Sequence, residues 1–583
     1  MAKTNKTLDI DFDSFEGICL PKCHSGKKSV ADIVNFHITN DGSLKKRCGY
    51  RHVIDSEGRK INSVWSGKIK GVFKCYALVD NIVYEINLEE KTKAYIGVLI
   101  APGEYACFFC HKDNLYIKDT DYFYMVKGNY LQRMIGYVPL FGKDWPTTKP
   151  GEIYQPLNLM NQYARISYKV TTPYTNLLPV VHPVSSIRSV YRNGTLMSSS
   201  DYYFDADLKT INIRNGVSEG ETFLVTVIFD SSVTLDNAQL EECDMIQTFG
   251  KISDFRAFAW STRTKSSNIY VSSYVSDEDY TASDSVVKGC GDLYFKKENS
   301  FSVGGGNNFV TSVSQHYGRL LIFTDGDAWM ANADIQGGED FPVMNINSTA
   351  GCATQKSNAM AENDPITVSK TAIVRWTSET DEINECNAYS ISDDINDKLS
   401  SSFFSNAVVY KDIYKNELWF TDPAGDGTVW IYNISKGSWV RFICEAGILG
   451  MFDTNGSIGF YTQSGIFMFD DVLSTDIAQD GTASKIISSF ESGILDLGST
   501  NSKRLTYGAL IGDMGGNSAT VSVSCDSGES ISFDCRDSSE HAIKEQRLRS
   551  GRFSTMKLSI TADGEANQVI HRVKIQAKEK LKK

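Results

Sequence analysis

Residues 405–471 most constrain what this chain can fold into, because seven short apolar runs follow one another there with turn residues between them. The first four are AVVY (407–410), ELWF (417–420), VWIY (429–432) and WVRF (439–442); 448–452, 458–461 and 466–469 continue the series. The intervening turns are Asp422-Pro423-Ala424-Gly425-Asp426-Gly427, Ser435-Lys436-Gly437, Asn455-Gly456 and Ser464-Gly465. β-branched and aromatic runs of this length, punctuated by Gly, Asn and Asp, specify antiparallel meanders. Four such strands look like one blade of a β-propeller. A lone four-stranded sheet buries neither face, so the blade requires neighbours.

Weaker copies of the pattern supply them. FKCYALV (73–79) and IVYEI (82–86) predict a hairpin, as do 107–111, 115–118 and 122–126. DNIVYEIN, DNLYIKD and KNELWFTD are approximate internal repeats. Further units are expected from pairing of 255–260 with 268–271, of 309–313 with 320–324 and 328–331, and from 372–376 with 388–391. The expected fold is all-β: a propeller of six or seven blades in 61–140 and 241–480. It is interrupted at 141–240 by a small inserted β domain, whose Asn193-Gly194 suits a type I′ hairpin turn. Alternation at 486–490, 505–510, 519–523, 531–533, 553–560 and 569–575 predicts a C-terminal β-sandwich over 481–583.

The 583 residues suffice for several domains, and 45 Gly against 12 Pro fits tight turns. The net charge of −12 argues against wrapping nucleic acid by phosphate neutralisation. The start MAKTNKTLDIDF shows no apolar signal core, and no run reaches the ~18 apolar residues of a membrane span. Thirteen scattered cysteines suggest reduced thiols and assembly in the cytoplasm.

Residues 1–60 are expected to be an extended segment. Within it, ADIVNFHITNDGSLKKRCGYRHV (31–53) reads on chemistry alone as a solvated hairpin with a basic edge. Its Asn35, Thr39, Gly42, Ser43, Leu44, Lys46, Arg47 and Gly49 form a pattern that resembles the nozzle proteins of short-tailed bacteriophages, also called tail tubular protein B or phage stabilisation proteins. The family often has Pro where Cys48 stands here. An interrupted propeller and a C-terminal sandwich extend the resemblance over most of the chain. It implies a structural virion protein, not an enzyme. The implied assembly is a homo-oligomeric ring, six copies by expectation, below the adaptor and portal rings. Other tail proteins or fibres would attach to it. The ring would extend the DNA-ejection channel and help retain the genome, with double-stranded DNA passing through without sequence-specific binding. Assembly roles for the eight motif residues follow from the same resemblance. The alternatives are a receptor-binding or fibre-like tail protein with a glycan-binding propeller, and a propeller glycoside hydrolase.

No residue is assigned to catalysis, cofactor or metal. Cys107-Phe108-Phe109-Cys110-His111 spells a haem-attachment pattern but alternates like a strand. Cys19, Cys23 and His24 lack a second ligand pair at finger spacing. The 425–430 turn only partly resembles an Asp-box, and Gly304-Gly305-Gly306 is followed by no Lys-Ser/Thr. Asp119-Thr120-Asp121 and Asp470-Asp471 read as solvated turns, and 578–583 as a basic tail.

Overall fold

The computed structural model describes residues 6–19, 29–101, 106–172, 177–250, 255–275, 291–304, 308–332, 341–377, 387–536, 542–564 and 567–579. Among them are seven four-stranded antiparallel units. Six are continuous in sequence, at 61–98, 107–134, 245–302, 312–347, 358–390 and 408–443. The seventh takes three strands from 450–470 and its fourth from Gly49–Asp55, which pairs antiparallel with Gly465–Asp470. The ring is thus closed by a strand from the start of the chain, which the run of three in the sequence left unsupplied.

Alternation along each strand places apolar side chains on both faces of a blade, and neighbouring blades bury them against each other. Val53, Ile61, Ala77 and Ile466 fill the seam that closes the ring. Leu115 and Ile117 pack on Tyr76 and Val83 between the first two blades. Phe109 and Tyr116 meet Ala257 and Tyr270 in the next seam, and Phe258 and Ile269 meet Leu320 and Ile322 in the one after. Phe323 packs tilted against Trp376, ring centroids 5.1 Å apart, between the fourth and fifth blades.

The inserted domain lies between the second and third blades and has its own core around Ile166, Val190, Ile211, Val225 and Val227. Leu140–Pro146 pairs parallel with Tyr163–Lys169, and Val184–Arg192 and Thr222–Phe229 complete that sheet. Asn193 and Gly194 both have positive φ, as a type I′ turn requires.

The sixth blade does not end at its fourth strand. Val30–Val34 adds parallel to Ser438–Ile443 and antiparallel to Ser488–Ser492. One nine-stranded sheet therefore runs from the blade into the C-terminal sandwich. The facing sandwich sheet also recruits the start of the chain. Lys6–Phe12 and Leu44–Lys46 both pair with Val569–Glu579. Phe12 and Phe15 meet Phe490 edge-on at 5.4 and 5.1 Å. Residues 6–19 and 29–55 thus form a strap across the propeller and the sandwich. No helix is long and apolar enough to cross a membrane among the described residues.

Candidate functional site

The strap carries the eight motif residues, and the structure gathers them where blade, sandwich and linker meet. Phe36–Ile38 and Leu44–Lys46 form the hairpin around the Asn40-Asp41-Gly42 turn. Leu44 is fully buried. Of the basic edge expected to face water, Lys45 does so, but Lys46 and Arg47 are buried, only 1% and 2% exposed. The reason is the set of acceptors waiting for them. Lys46 Nζ donates to the Gly564 carbonyl. Arg47 donates from Nη1 and Nη2 to Asp476 Oδ1 and Oδ2 at 2.8 and 2.6 Å. Its remaining N–H groups reach the Cys48 carbonyl (2.9 Å), the Ile443 carbonyl (3.0 Å) and Asn35 Oδ1 (3.0 Å). A buried guanidinium is tolerated only when its donors are satisfied and its charge is paired, and both conditions hold here.

Asn35 is the hub beside it. It sits at φ +57° and is 5% exposed. Its amide N–H donates to the Arg441 carbonyl at 2.8 Å, and its carbonyl accepts from Arg47 N–H and Ser488 Oγ, both at 2.9 Å. Its Oδ1 also accepts from Ile443 N–H at 2.9 Å, and its Nδ2 donates to the Ile487 carbonyl at 2.8 Å. Asparagine tolerates the left-handed conformation better than other residues with a side chain and brings both a donor and an acceptor. Gly49 completes the junction. A Cβ there would stand 1.8 Å from the Thr475 carbonyl oxygen.

The junction is electrostatically quiet. Burial pushes the Cys48 thiol up to about 11 and Cys444 up to about 12. Burial also raises Tyr50. These neighbours stay neutral at physiological pH and leave Asp476 as the carboxylate paired with Arg47. A second pair ties the strap to the sixth blade: His37 Nδ1 lies 3.2 Å from Glu417 Oε1, with the His37 ring edge-on to Phe442. Burial alone would raise Glu417, but His37, Lys415 and the Trp419 N–H together outweigh it and the carboxyl is held below its usual range.

At the turn, Thr39 and Ser43 hydroxyls both donate to Asp41, drawing its carboxyl down to about 2. Gly42 has φ +85° and receives the Phe15 N–H on its carbonyl. Ser43 Oγ is also 2.9 Å from His571 Nδ1, and His571 Nε2 is 3.2 Å from Asp513 Oδ2. Serine, histidine and carboxylate in a row suggest acyl transfer. The proton inventory opposes it. Ser43 gives its hydroxyl proton to Asp41 and is 4% exposed, so that proton is committed to a carboxylate and Oγ is closed to a substrate. The arrangement fastens the hairpin turn to the sandwich.

The other sequence candidates are dispersed. Cys107–His111 is the first strand of the second blade, with Cys107 Sγ on the Ile246 carbonyl. His111 faces Asp292 at 3.6 Å. Cys23, His24 and Gly305-Gly306-Asn307 lie outside the described residues. Asp119 is not a solvated turn residue. It is fully buried and accepts from the N–H groups of Ala101, Asp121 and Tyr122 and from the Tyr124 hydroxyl. Among the described residues no three His, Cys, Asp or Glu side chains converge as a metal set.

Sequence reasoning missed a cleft of about 850 Å³ beside the sixth blade, lined by Asp32, Lys398, Asp422, Asp426 and Arg441. Its signal was present in the acidic 422–427 turn, but Asp32 and Lys398 arrive from far along the chain.

No protein-family model matches this chain, and no curated protein matches it. Among solved structures it is similar to the CNH domain of AfRom2, at 7% identity over 73% of this chain and 99% of that one, with a TM-score of 0.35. It is similar to BamB from Moraxella catarrhalis at 9% identity over 79% and 97%, with a TM-score of 0.31. It is also similar to BBS1N, solved in complex with ARL6DN, at 8% identity over 72% and 96%, with a TM-score of 0.26. The propeller assignment rests on this chain's own strand order and ring closure, to which these likenesses add no site.

Proposed function

We propose that this chain is a structural protein of a bacteriophage tail. Copies of it form a nozzle ring that extends the DNA-ejection channel below the portal and adaptor. The observation that supports the reading is the order and fusion of its parts. A motif-bearing strap, a propeller interrupted after its second blade and a C-terminal sandwich follow the order the family resemblance implies. The strap joins them through continuous sheets, as suits a load-bearing wall. A net charge of −12 per copy lets duplex DNA slide without adhering, provided the lumen shares that sign.

Subunit counting by native mass spectrometry and electron-microscope ring views tests the proposal, with and without a candidate adaptor ring. A six-fold ring with an axial opening of ~20 Å, wide enough for duplex DNA, is the expected result. A trimer or monomer that binds bacterial surface sugar overturns it, as does a strongly basic lumen.

A further inference from the structure

The outer face of the sandwich sheet that the strap joins is divided between paired and unpaired cations. Along Val569–Glu579 the side chains of Val573, Ile575, Ala577 and Glu579 are buried, so Arg572, Lys574 and Lys578 share the solvent side. Lys6–Phe12 runs beside this strand and supplies acids to the first two: Arg572 bonds Asp11, and Lys574 Nζ lies 3.2 Å from Asp9. Lys578 faces Thr7 and receives none. On its other side it stands directly opposite Arg504, which is exposed between the buried Lys503 and Leu505. Like charges directly opposite on neighbouring strands repel. The bridge between Lys503 and Phe553 brings exposed Arg552 alongside Arg504 from the other flank. Arg547 and Arg549 are exposed on either side of buried Leu548, whose N–H donates to the Thr506 carbonyl. Among the described residues none of these five cations has an ion-pair partner. Glu545, the one acid of Ala542–Arg547, bonds the Tyr507 hydroxyl instead. The sandwich is also the basic part of an acidic chain. Residues 481–583 hold 15 Lys and Arg against 12 Asp and Glu, so the rest carries −15 within a total of −12.

We propose that this basic face is the contact through which one copy of the chain holds the acidic surface of the next. The strap shows the chemistry: this sheet already binds aspartates on an adjoining segment, and its cations beyond the reach of Asp9 and Asp11 lack the same group. Carboxylate suits them, because an arginine fork takes its two oxygens together. A second copy offers that acid in excess outside its own sandwich. Basic sandwich against acidic remainder is a heterologous contact, the kind that closes into a ring when the rotation allows. The inference rests on the ring reading for its second copy and names the surface that makes the joint.

The test is zero-length carbodiimide crosslinking of the full chain, mixed from isotopically light and heavy copies and read by mass spectrometry beside light scattering. Links between light and heavy copies that join Lys578 to an Asp or Glu before residue 481 are expected. The variant Arg504→Glu with Arg549→Glu keeps the reactive Lys578 and changes only exposed side chains. It is expected to lose those links and to self-associate about tenfold more weakly, at an unchanged melting temperature. Salt at ~0.5 M is expected to weaken the wild type in the same direction. An assembly whose subunit count and affinity are the same in the variant overturns the contact and leaves the ring reading standing. A salt-sensitive dimer or trimer that carries the links supports the contact and overturns the ring. A chain that stays monomeric at every salt and concentration overturns both. Binding of duplex DNA that the variant abolishes, without links between copies, also overturns the contact.

Discussion

Arg47 and Asp476 face each other nitrogen to oxygen at 2.8 and 2.6 Å although 429 residues separate them in sequence. One belongs to the strap and the other to the linker hairpin between propeller and sandwich. Removing either partner strands a buried charge, which costs about 3–5 kcal/mol. Arg47→Met and Asp476→Leu are each expected to lower the unfolding midpoint strongly. The double variant is expected to lie closer to wild type than Arg47→Met alone. Denaturant melts of the three variants check this, and additive losses would contradict the pairing.

Asn35 separates backbone from side-chain effects. Asn35→Gly and Asn35→Ala both abandon the bonds to Arg47, Ile443 and Ile487. Alanine must also hold φ near +57°, at a further cost of about 1–2 kcal/mol. The alanine variant is therefore expected to be the less stable of the two by calorimetry.

Gly49→Ala drives a methyl group into the Thr475 carbonyl, and overpacking of this kind costs about 1–3 kcal/mol or more. Gly326→Ala, where nothing lies within 4 Å, serves as the matched control and is expected to be near neutral. Faster proteolysis of the Gly49 variant alone would locate the damage at the ring closure.

The strap is expected to loosen in acid. Burial would raise Asp32, but Arg441 and Lys398 together offset it and the carboxyl lies below its ordinary range; Glu417 behaves likewise through His37, Lys415 and the Trp419 N–H. For depressed carboxylates the unfolded chain takes up protons first as pH falls. Their contribution is complete above the ordinary carboxylate pKa and disappears as pH drops through the lower folded values. Amide protection in Val30–Val34, corrected for the intrinsic exchange rate, should fall as pH drops from ~5 toward ~2. Asp32→Asn is expected to flatten part of that dependence, and an unchanged profile would contradict the assignment.

Ser43 is expected to be chemically inert. A fluorophosphonate probe should leave the intact mass of the chain unchanged, while Ser43→Ala should cost about 1 kcal/mol through lost hydrogen bonds. Stoichiometric labelling, lost in Ser43→Ala, would make the serine a nucleophile after all.

Blade strands such as Glu417–Thr421 and Thr428–Asn433 were legible because their partners are neighbours in sequence and each carries its own turn signal. The Asn193-Gly194 hairpin was legible for the same reason. Gly49–Asp55 was not, since its partner strand lies beyond residue 464 and nothing local announces the pairing. The motif pattern marked Asn35, Arg47 and Gly49 without revealing what they do, because each acts on residues above 430. Lys46 and Arg47 misled in the ordinary way: adjacent basic residues suggest water, and only tertiary carbonyls and Asp476 could override that. The haem-like run from Cys107 to His111 is a strand, on which the two cysteines, three residues apart, point to opposite faces.

The closing strand has a consequence for how the protein is made. Gly49–Asp55 leaves the ribosome early, yet the strand it must join is among the last of the propeller to be translated. At ordinary translation speeds the wait is roughly 20–80 s. During it the nascent chain exposes an unpaired strand and open blade edges, which invites pairing with other nascent chains. A chaperone that holds this N-terminal region, or a dilute polysome, would raise the yield of native protein without touching its final stability.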